Sequence, residues 1–158
     1  MKRTTRLFSA GLAIAVLLAL PTTVFAQQPP DYNYLGLGGG DEGLVINGKL
    51  TIGDNFSVRP LAATDFDFDD SEDVFYLLPV TYDFNAINES GTFYPFVGGG
   101  IGGNLGGDST VELALTGGVD YLISDRWVAN GSINYLPFAD SEEVGFALGV
   151  GYTFGDEF

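Results

Sequence analysis

The chain has 158 residues, with neither cysteine nor histidine, and a formal net charge of −15 from 6 basic and 21 acidic residues. Such an acidic surface repels nucleic acid and anionic headgroups, so we expect neither as an electrostatic partner. The absence of histidine removes the side chain that most often serves as a general base near neutral pH. We therefore predict that the protein is not an enzyme, and we expect no cofactor.

Residues 1–26 have the three parts of a secretory signal peptide. A basic start precedes the uncharged apolar run Leu7 to Leu20, and Val24-Phe25-Ala26 offers the small residues of a cleavage site. The run is too short to span a hydrocarbon core of ~30 Å comfortably as a helix. We predict cleavage after Ala26, so that 1–26 is a signal peptide and 27–158 is one exported domain with a net charge of −18.

The exported domain is predicted to be all-β, because apolar and small or polar residues alternate with a period of two. In the stretch 144–154, every even position is large and apolar, and every odd one is Gly, Ala or Thr. Pro60 and Pro95 predict irregular third and fifth strands, since proline is tolerated mainly at strand ends or bulges. The eight predicted strands are 32–40, 43–52, 56–64, 74–84, 93–102, 110–123, 127–137 and 143–154. An even number of strands of this length is typical of an antiparallel up-and-down transmembrane β-barrel.

The strand numbering predicts rings of aromatic side chains at the two barrel ends. The inner, periplasmic ring comprises Tyr32, Tyr34, Phe56, Tyr82, Phe84, Phe93, Tyr94, Tyr121, Trp127, Tyr152 and Phe154. A partial outer ring comprises Phe66, Phe68, Phe75, Tyr76, Tyr135 and Phe138.

Four charged residues are predicted to point into the barrel. By strand parity these inward residues are Lys49, Arg59, Glu112 and Asp120. The interior of an eight-stranded barrel is only wide enough for side chains, so we favour a buried ion-pair cluster over an ion pathway.

The predicted outer loops contain twelve carboxylates and no basic residue. The densest run, 65–73, lacks the glycine and the final acid of an EF-hand loop, and we favour a solvated acidic rim. Divalent cations at this rim are the alternative interpretation. The metal-ligand candidates are Asp65, Asp67, Asp69 and Asp70.

Three segments resemble the OmpA-like and opacity-protein outer-membrane barrels. Tyr94–Gly102 resembles their proline-aromatic-glycine strand, Gly117–Trp127 their sixth strand, tight turn and seventh strand, and Gly149–Phe154 their closing strand. The resemblance implies a cell outer-membrane location. It also implies recognition by the outer-membrane assembly machinery through a terminal aromatic, which either Phe154 or Phe158 could provide.

The functional prediction is a non-enzymatic outer-membrane barrel with a structural or surface-interaction role. Outer-membrane lipid and lipopolysaccharide are the expected partners, with divalent cations bridging the acidic rim to lipopolysaccharide. One alternative is a narrow, porin-like channel for ions or small solutes. The other is a soluble, secreted, lipocalin-like barrel that binds a ligand inside.

Overall fold

The computed structural model describes residues 30–64, 74–106, 109–138 and 143–154. These described residues form nine β-strand segments. In chain order the strands are β1 Asn33–Gly40, β2 Gly43–Gly53, β3 Phe56–Val58, β4 Leu61–Thr64, β5 Val74–Asp83, β6 Phe93–Leu105, β7 Glu112–Ser124, β8 Trp127–Leu136 and β9 Glu143–Phe154. Within the same ranges, no helix is long and apolar enough to cross a membrane.

The strands form a closed antiparallel barrel. With β3 and β4 taken together, each strand pairs with its neighbours in the chain, and β1 pairs with β9, where Asn33 lies opposite Phe154. Both β3 and β4 lie between β2 and β5, so they are two parts of one barrel strand separated by Arg59-Pro60. The predicted eight-stranded up-and-down barrel is therefore confirmed.

The two prolines singled out in the sequence behave differently. At Pro60 the third barrel strand is interrupted, as predicted, although the Pro60 carbonyl still accepts a hydrogen bond from the Gly48 amide (2.9 Å). At Pro95 the predicted irregularity is wrong, because β6 runs unbroken from Phe93 to Leu105. The Pro95 carbonyl accepts from the Phe84 amide, just past the end of β5 (2.9 Å). The Pro95 nitrogen points towards β5, as its carbonyl does, since both groups of a residue in an antiparallel strand face the same neighbour. The last β5–β6 register pair is Asp83–Phe96, so the missing N–H of Pro95 removes no hydrogen bond from the ladder.

The large apolar side chains of the alternating strands point out of the barrel. In β9, Phe146 and Leu148 are 52% and 61% exposed, whereas Ala147 between them is 3% exposed. The same alternation holds in β2, where Ile46 is exposed and Val45 is buried. The alternative of a soluble lipocalin-like barrel is therefore wrong, because a lipocalin-like interior would need these apolar residues inside. A surface of this kind fits a hydrocarbon environment.

An aromatic ring surrounds the end of the barrel that carries the β2–β3, β5–β6 and β7–β8 connections, called the inner end below. Across strand pairs, ring centroids lie 5.4 Å apart for Phe56–Tyr82, 6.5 Å for Phe93–Tyr121 and 5.4 Å for Trp127–Tyr152. The two members of each pair lie at one level of the barrel wall, because each pair is also a register pair. All six residues lie within four residues of a strand end at the inner end of the barrel. The predicted inner ring is therefore confirmed at these positions.

Four aromatic residues were assigned to the wrong face. Tyr32 and Tyr34 are buried inside the barrel, Tyr94 packs against them there, and Phe75 of the predicted outer ring is also inside. The physical reason is the period of two: Leu35 and Leu37 point outward, so Tyr34 must point inward. Phe66 and Phe68 of the predicted outer ring lie outside the described residues.

The interior is filled in three layers. The inner-end layer is aromatic and apolar, and consists of Tyr32, Tyr34 and Val128 with Tyr94 and Leu122 packed against them. The middle layer is polar and charged. The outer-end layer is apolar, and consists of Val45, Leu61, Ala63, Phe75, Leu77, Ala114, Leu136 and Ala147.

Candidate functional site in the barrel interior

Four charged side chains meet in the middle layer and are called the ion-pair cluster below: Lys49, Arg59, Asp83 and Asp120. They come from β2, from the break between β3 and β4, from β5 and from β7, so they span the lumen. All four are buried, the most exposed being Arg59 at 6%. With two cations and two carboxylates, the cluster has no formal net charge.

Arg59 is the centre of the cluster. Its Nη2 lies 2.9 Å from Asp120 Oδ2 and 3.0 Å from Asp83 Oδ1, and its Nη1 donates to Asp120 Oδ1 at 3.2 Å. Nε donates to Thr81 Oγ1 (3.1 Å), and Nη1 also donates to Tyr34 Oη (3.4 Å). These contacts account for all five N–H groups of a guanidinium. The planar group also stacks on a phenyl ring, with Cζ 3.7 Å from the centroid of Phe96.

Lys49 and Asp83 complete the cluster. Lys49 Nζ lies 3.2 Å from Asp83 Oδ2, donates to the Pro30 carbonyl at 3.2 Å, and lies 3.6 Å from the centroid of the Tyr32 ring. Asp83 also accepts from the hydroxyl of Ser57. Each charge therefore has an opposite charge and further hydrogen bonds, which is the condition under which a buried ion pair is tolerated.

The structure brings together some of the four predicted inward residues and not others. Lys49, Arg59 and Asp120 come together, but Glu112 does not. Glu112 lies eight positions from Asp120 along β7, about 26 Å at ~3.3 Å per residue, and is near the outer end. Asp83 takes the place expected for Glu112. Strand parity could have identified Asp83 from the sequence: Tyr82 and Phe84 point outward, so Asp83 between them must point inward.

A small cavity lies against the cluster on the side of the outer-end layer. It has a volume of about 30 Å³, and its polar lining includes Asn47, Arg59, Thr116, Asn130, Ser132 and Asn134. Asn47 Nδ2 donates to Asn130 Oδ1, whereas Asn47 Oδ1 and Asn130 Nδ2 have no hydrogen-bond partner. A space of this size is far too small for a solute to pass.

The predicted metal-ligand candidates lie outside the described residues, as does most of the acidic outer rim. Of the rim, the described part includes Asp41, whose Oδ1 accepts a hydrogen bond from the Phe146 amide at 2.9 Å. Within the described ranges, no three acidic side chains are grouped as a metal site would require. The divalent-cation hypothesis therefore stays a prediction.

Comparison with known proteins supports the fold assignment. Residues 97–154, which include most of β6 and all of β7 to β9, match the YadA-like membrane anchor domain family. Among curated proteins, none matches the chain in sequence.

Several solved structures share this architecture at low sequence identity. The N-terminal β-barrel domain of OprF from Pseudomonas aeruginosa superposes with a TM-score of 0.61 at 15% identity, covering 81% of this chain and 100% of that one. Ail from Yersinia pestis, in complex with the heparin analogue sucrose octasulfate, gives 0.53 at 18% identity, covering 81% and 99%. A de novo designed transmembrane β-barrel gives 0.59 at 14% identity, covering 81% and 99%.

These comparisons confirm the predicted resemblance at the level of fold, that of small outer-membrane β-barrels. They do not assign a role, because a designed barrel shares the fold as closely as natural proteins do. Functional arguments must therefore come from the interior and the surface of this chain.

Proposed function

We propose that this chain, an outer-membrane β-barrel, is a closed, non-enzymatic barrel with a structural and surface-interaction role. The observation that carries the proposal is the ion-pair cluster, in which Arg59 bonds to carboxylates from two strands and uses every donor it has. A neutral, fully bonded cluster across the lumen favours a plug over an ion path. The absence of histidine and cysteine from the sequence supports the non-enzymatic part.

Conductance tests the closed barrel. Purified protein is inserted into planar lipid bilayers, and current is recorded for the wild type and for Lys49→Met. We expect both to stay at the bilayer background, because Arg59 still bridges Asp83 and Asp120 when Lys49 is removed. Discrete current steps in the wild type would support the narrow-channel alternative. Steps in Lys49→Met alone would make the cluster a gate.

The surface role is proposed to be the presentation of an acidic rim that divalent cations bridge to lipopolysaccharide. Support comes from the charge distribution: of the three basic residues after position 26, Lys49 and Arg59 are buried and only Arg126 is exposed. The same distribution argues against a polyanion such as the heparin analogue seen with Ail, since Arg126 is the one exposed basic residue after position 26 that could neutralise it.

Lipopolysaccharide retention tests this role. The variant D65N/D67N/D69N/D70N removes four carboxylates from the outer run, and D54N/D125N is the control, since Asp54 and Asp125 lie in inner turns. We expect less lipopolysaccharide to co-purify with the outer variant in Mg²⁺, and no change for the control. Equal retention by all three proteins, with or without a chelator, would contradict cation bridging.

A further inference from the structure

The inner end of the lumen is covered by the short segment that precedes β1. Pro30 and Tyr32 are buried and Asp31 between them is exposed, so the segment enters the barrel mouth with alternate residues inside. The Pro30 carbonyl accepts from Lys49 Nζ (3.2 Å), and the Tyr32 carbonyl accepts from Thr51 Oγ1 (3.1 Å). These two hydrogen bonds hold Pro30 and Tyr32 at the mouth.

The Tyr32 side chain reaches across the lumen. Its hydroxyl donates to Asp120 Oδ2 on β7 at 2.7 Å, and its ring lies under Lys49 Nζ. The ring also contacts Tyr34 and Tyr94, with centroids 6.5 and 5.8 Å away. Tyr32 thereby bonds to one acid and one base of the ion-pair cluster and lies between them and the inner mouth.

This segment is not part of the barrel wall. The ladder of β1 begins at Asn33 on the β9 side and at Tyr34 on the β2 side, so within the described pairings the segment belongs to no strand pair. Its attachments are side-chain contacts with Lys49, Thr51 and Asp120. It can therefore leave the mouth without breaking a strand ladder, at the cost of these side-chain contacts alone.

We propose that the inner mouth is a binding site for the chain's own segment Pro30–Tyr32, which acts as a removable stopper. When the stopper is bound, Lys49 is shielded from the periplasmic side. When it leaves, Lys49 loses the Pro30 carbonyl and the Tyr32 ring but keeps Asp83, and Asp120 keeps Arg59. Departure therefore hydrates the cluster without dismantling it. This goes beyond the proposed function, because a barrel can be closed to ions whether or not the stopper detaches.

Lysine acylation tests the stopper directly, because Lys49 is the sole lysine after position 26. The signal-free protein, folded in lipid vesicles with the inner end accessible, is treated with a water-soluble N-hydroxysuccinimide acetate. Acetylation of Lys49 is followed by mass spectrometry, apart from that of the N-terminal amine. The variants are Tyr32→Ala, Tyr32→Phe, and Tyr152→Ala as a control on the outer face of the same end.

We expect Lys49 to react at least about tenfold faster in Tyr32→Ala than in the wild type, because the side chain that shields it is gone. Tyr32→Phe keeps the ring and should give a smaller increase, and Tyr152→Ala should give none. Equal Lys49 reactivity in the wild type and Tyr32→Ala, whether slow or fast, would overturn the proposal. A variant lacking residues 27–32 provides the same comparison if Tyr32→Ala fails to fold. Conductance, measured separately, decides the closed-barrel proposal.

Discussion

At the scale of single residues, Arg59 holds the interior together because it alone contacts both carboxylates of the ion-pair cluster. Lysine could not replace it, since an ammonium is a point donor and lacks the planar fork that bonds to Asp120 through two nitrogens. Removing the guanidinium leaves Asp120 buried without a counter-charge. An uncompensated buried charge of this kind costs several times more than a surface ion pair contributes.

The first prediction follows from this geometry. Arg59→Met should lower the free energy of unfolding by roughly 3–5 kcal/mol, because it leaves the buried Asp120 carboxylate without a counter-charge. Adding Asp120→Asn should recover part of the loss, whereas adding Glu112→Gln should recover none, since Glu112 lies outside the cluster. Urea unfolding in liposomes, followed by gel mobility, measures the three variants. Recovery by Glu112→Gln instead of Asp120→Asn would contradict the assignment of partners.

The second prediction concerns the two buried amides beside the cavity. Asn47 Oδ1 and Asn130 Nδ2 leave one acceptor and one donor unpaired, and turning both amides over preserves that count. We expect water in the adjacent cavity to satisfy both, since about 30 Å³ has room for two molecules at ~10–15 Å³ each. In nanodiscs, NMR should show magnetisation transfer from water to the Asn130 side-chain amide, with exposed Asn85 as the positive control. Transfer to Asn85 without transfer to Asn130 would mean a dry cavity.

At the scale of elements, the faces of β9 decide whether the strand can enter a bilayer. Val150 is exposed on the outer wall and Thr153 points to the other side, where its hydroxyl donates to the Asp125 carbonyl at the inner end. The third prediction is that Val150→Arg blocks insertion, because a charge facing lipid costs roughly 2–4 kcal/mol near the midplane. Thr153→Arg, the same change on the opposite face, should insert. Membrane recovery and heat-modifiable migration measure both, and equal insertion would mean that the outer wall does not face lipid.

The strands were largely predictable from the sequence, because apolar residues alternate with small or polar ones wherever one face of a strand is apolar. Predicted and observed bounds agree within about three residues for every barrel strand, which is the usual uncertainty of strand ends. The interior was less predictable. Parity placed Lys49, Arg59 and Asp120 inside, but no local pattern says which acid on another strand lies opposite which base. That depends on register across the barrel, which fixes Asp83 at the level of Phe96 and Asp120 at the level of Tyr94.

Tyr32 shows why a local pattern can mislead. It precedes the first strand and lies in a cluster of aromatic residues, and such clusters are typical of a membrane interface. Its real position depends on Asp120, 88 residues away, which accepts its hydroxyl hydrogen bond. Contacts over such separations are set by the closed sheet and are not visible in any short window.

At the scale of the whole molecule, closure of the sheet leaves no exposed strand edge among the described pairings, since β1 pairs with β9. The fourth prediction is that the protein is recovered in outer membranes and migrates differently on gels before and after boiling. Closed barrels resist unfolding by detergent at room temperature, because every strand is held on both sides. Recovery in the soluble periplasm after mild lysis would contradict both the exposed apolar wall and the barrel closure.

Because β1 pairs with β9, the chain could begin at another strand of the barrel without changing any strand pairing. Asn33 lies opposite Phe154, so a short polar linker can join the last strand to the first without crossing the lumen. Opening the chain instead within 65–73 would create a circular permutant with every strand neighbour unchanged. Because wall stability resides in the ring of pairings, this permutant should assemble and resist detergent as the parent does. The stability of the barrel would then depend on which strands are neighbours around the barrel, and not on the order in which they occur along the polypeptide.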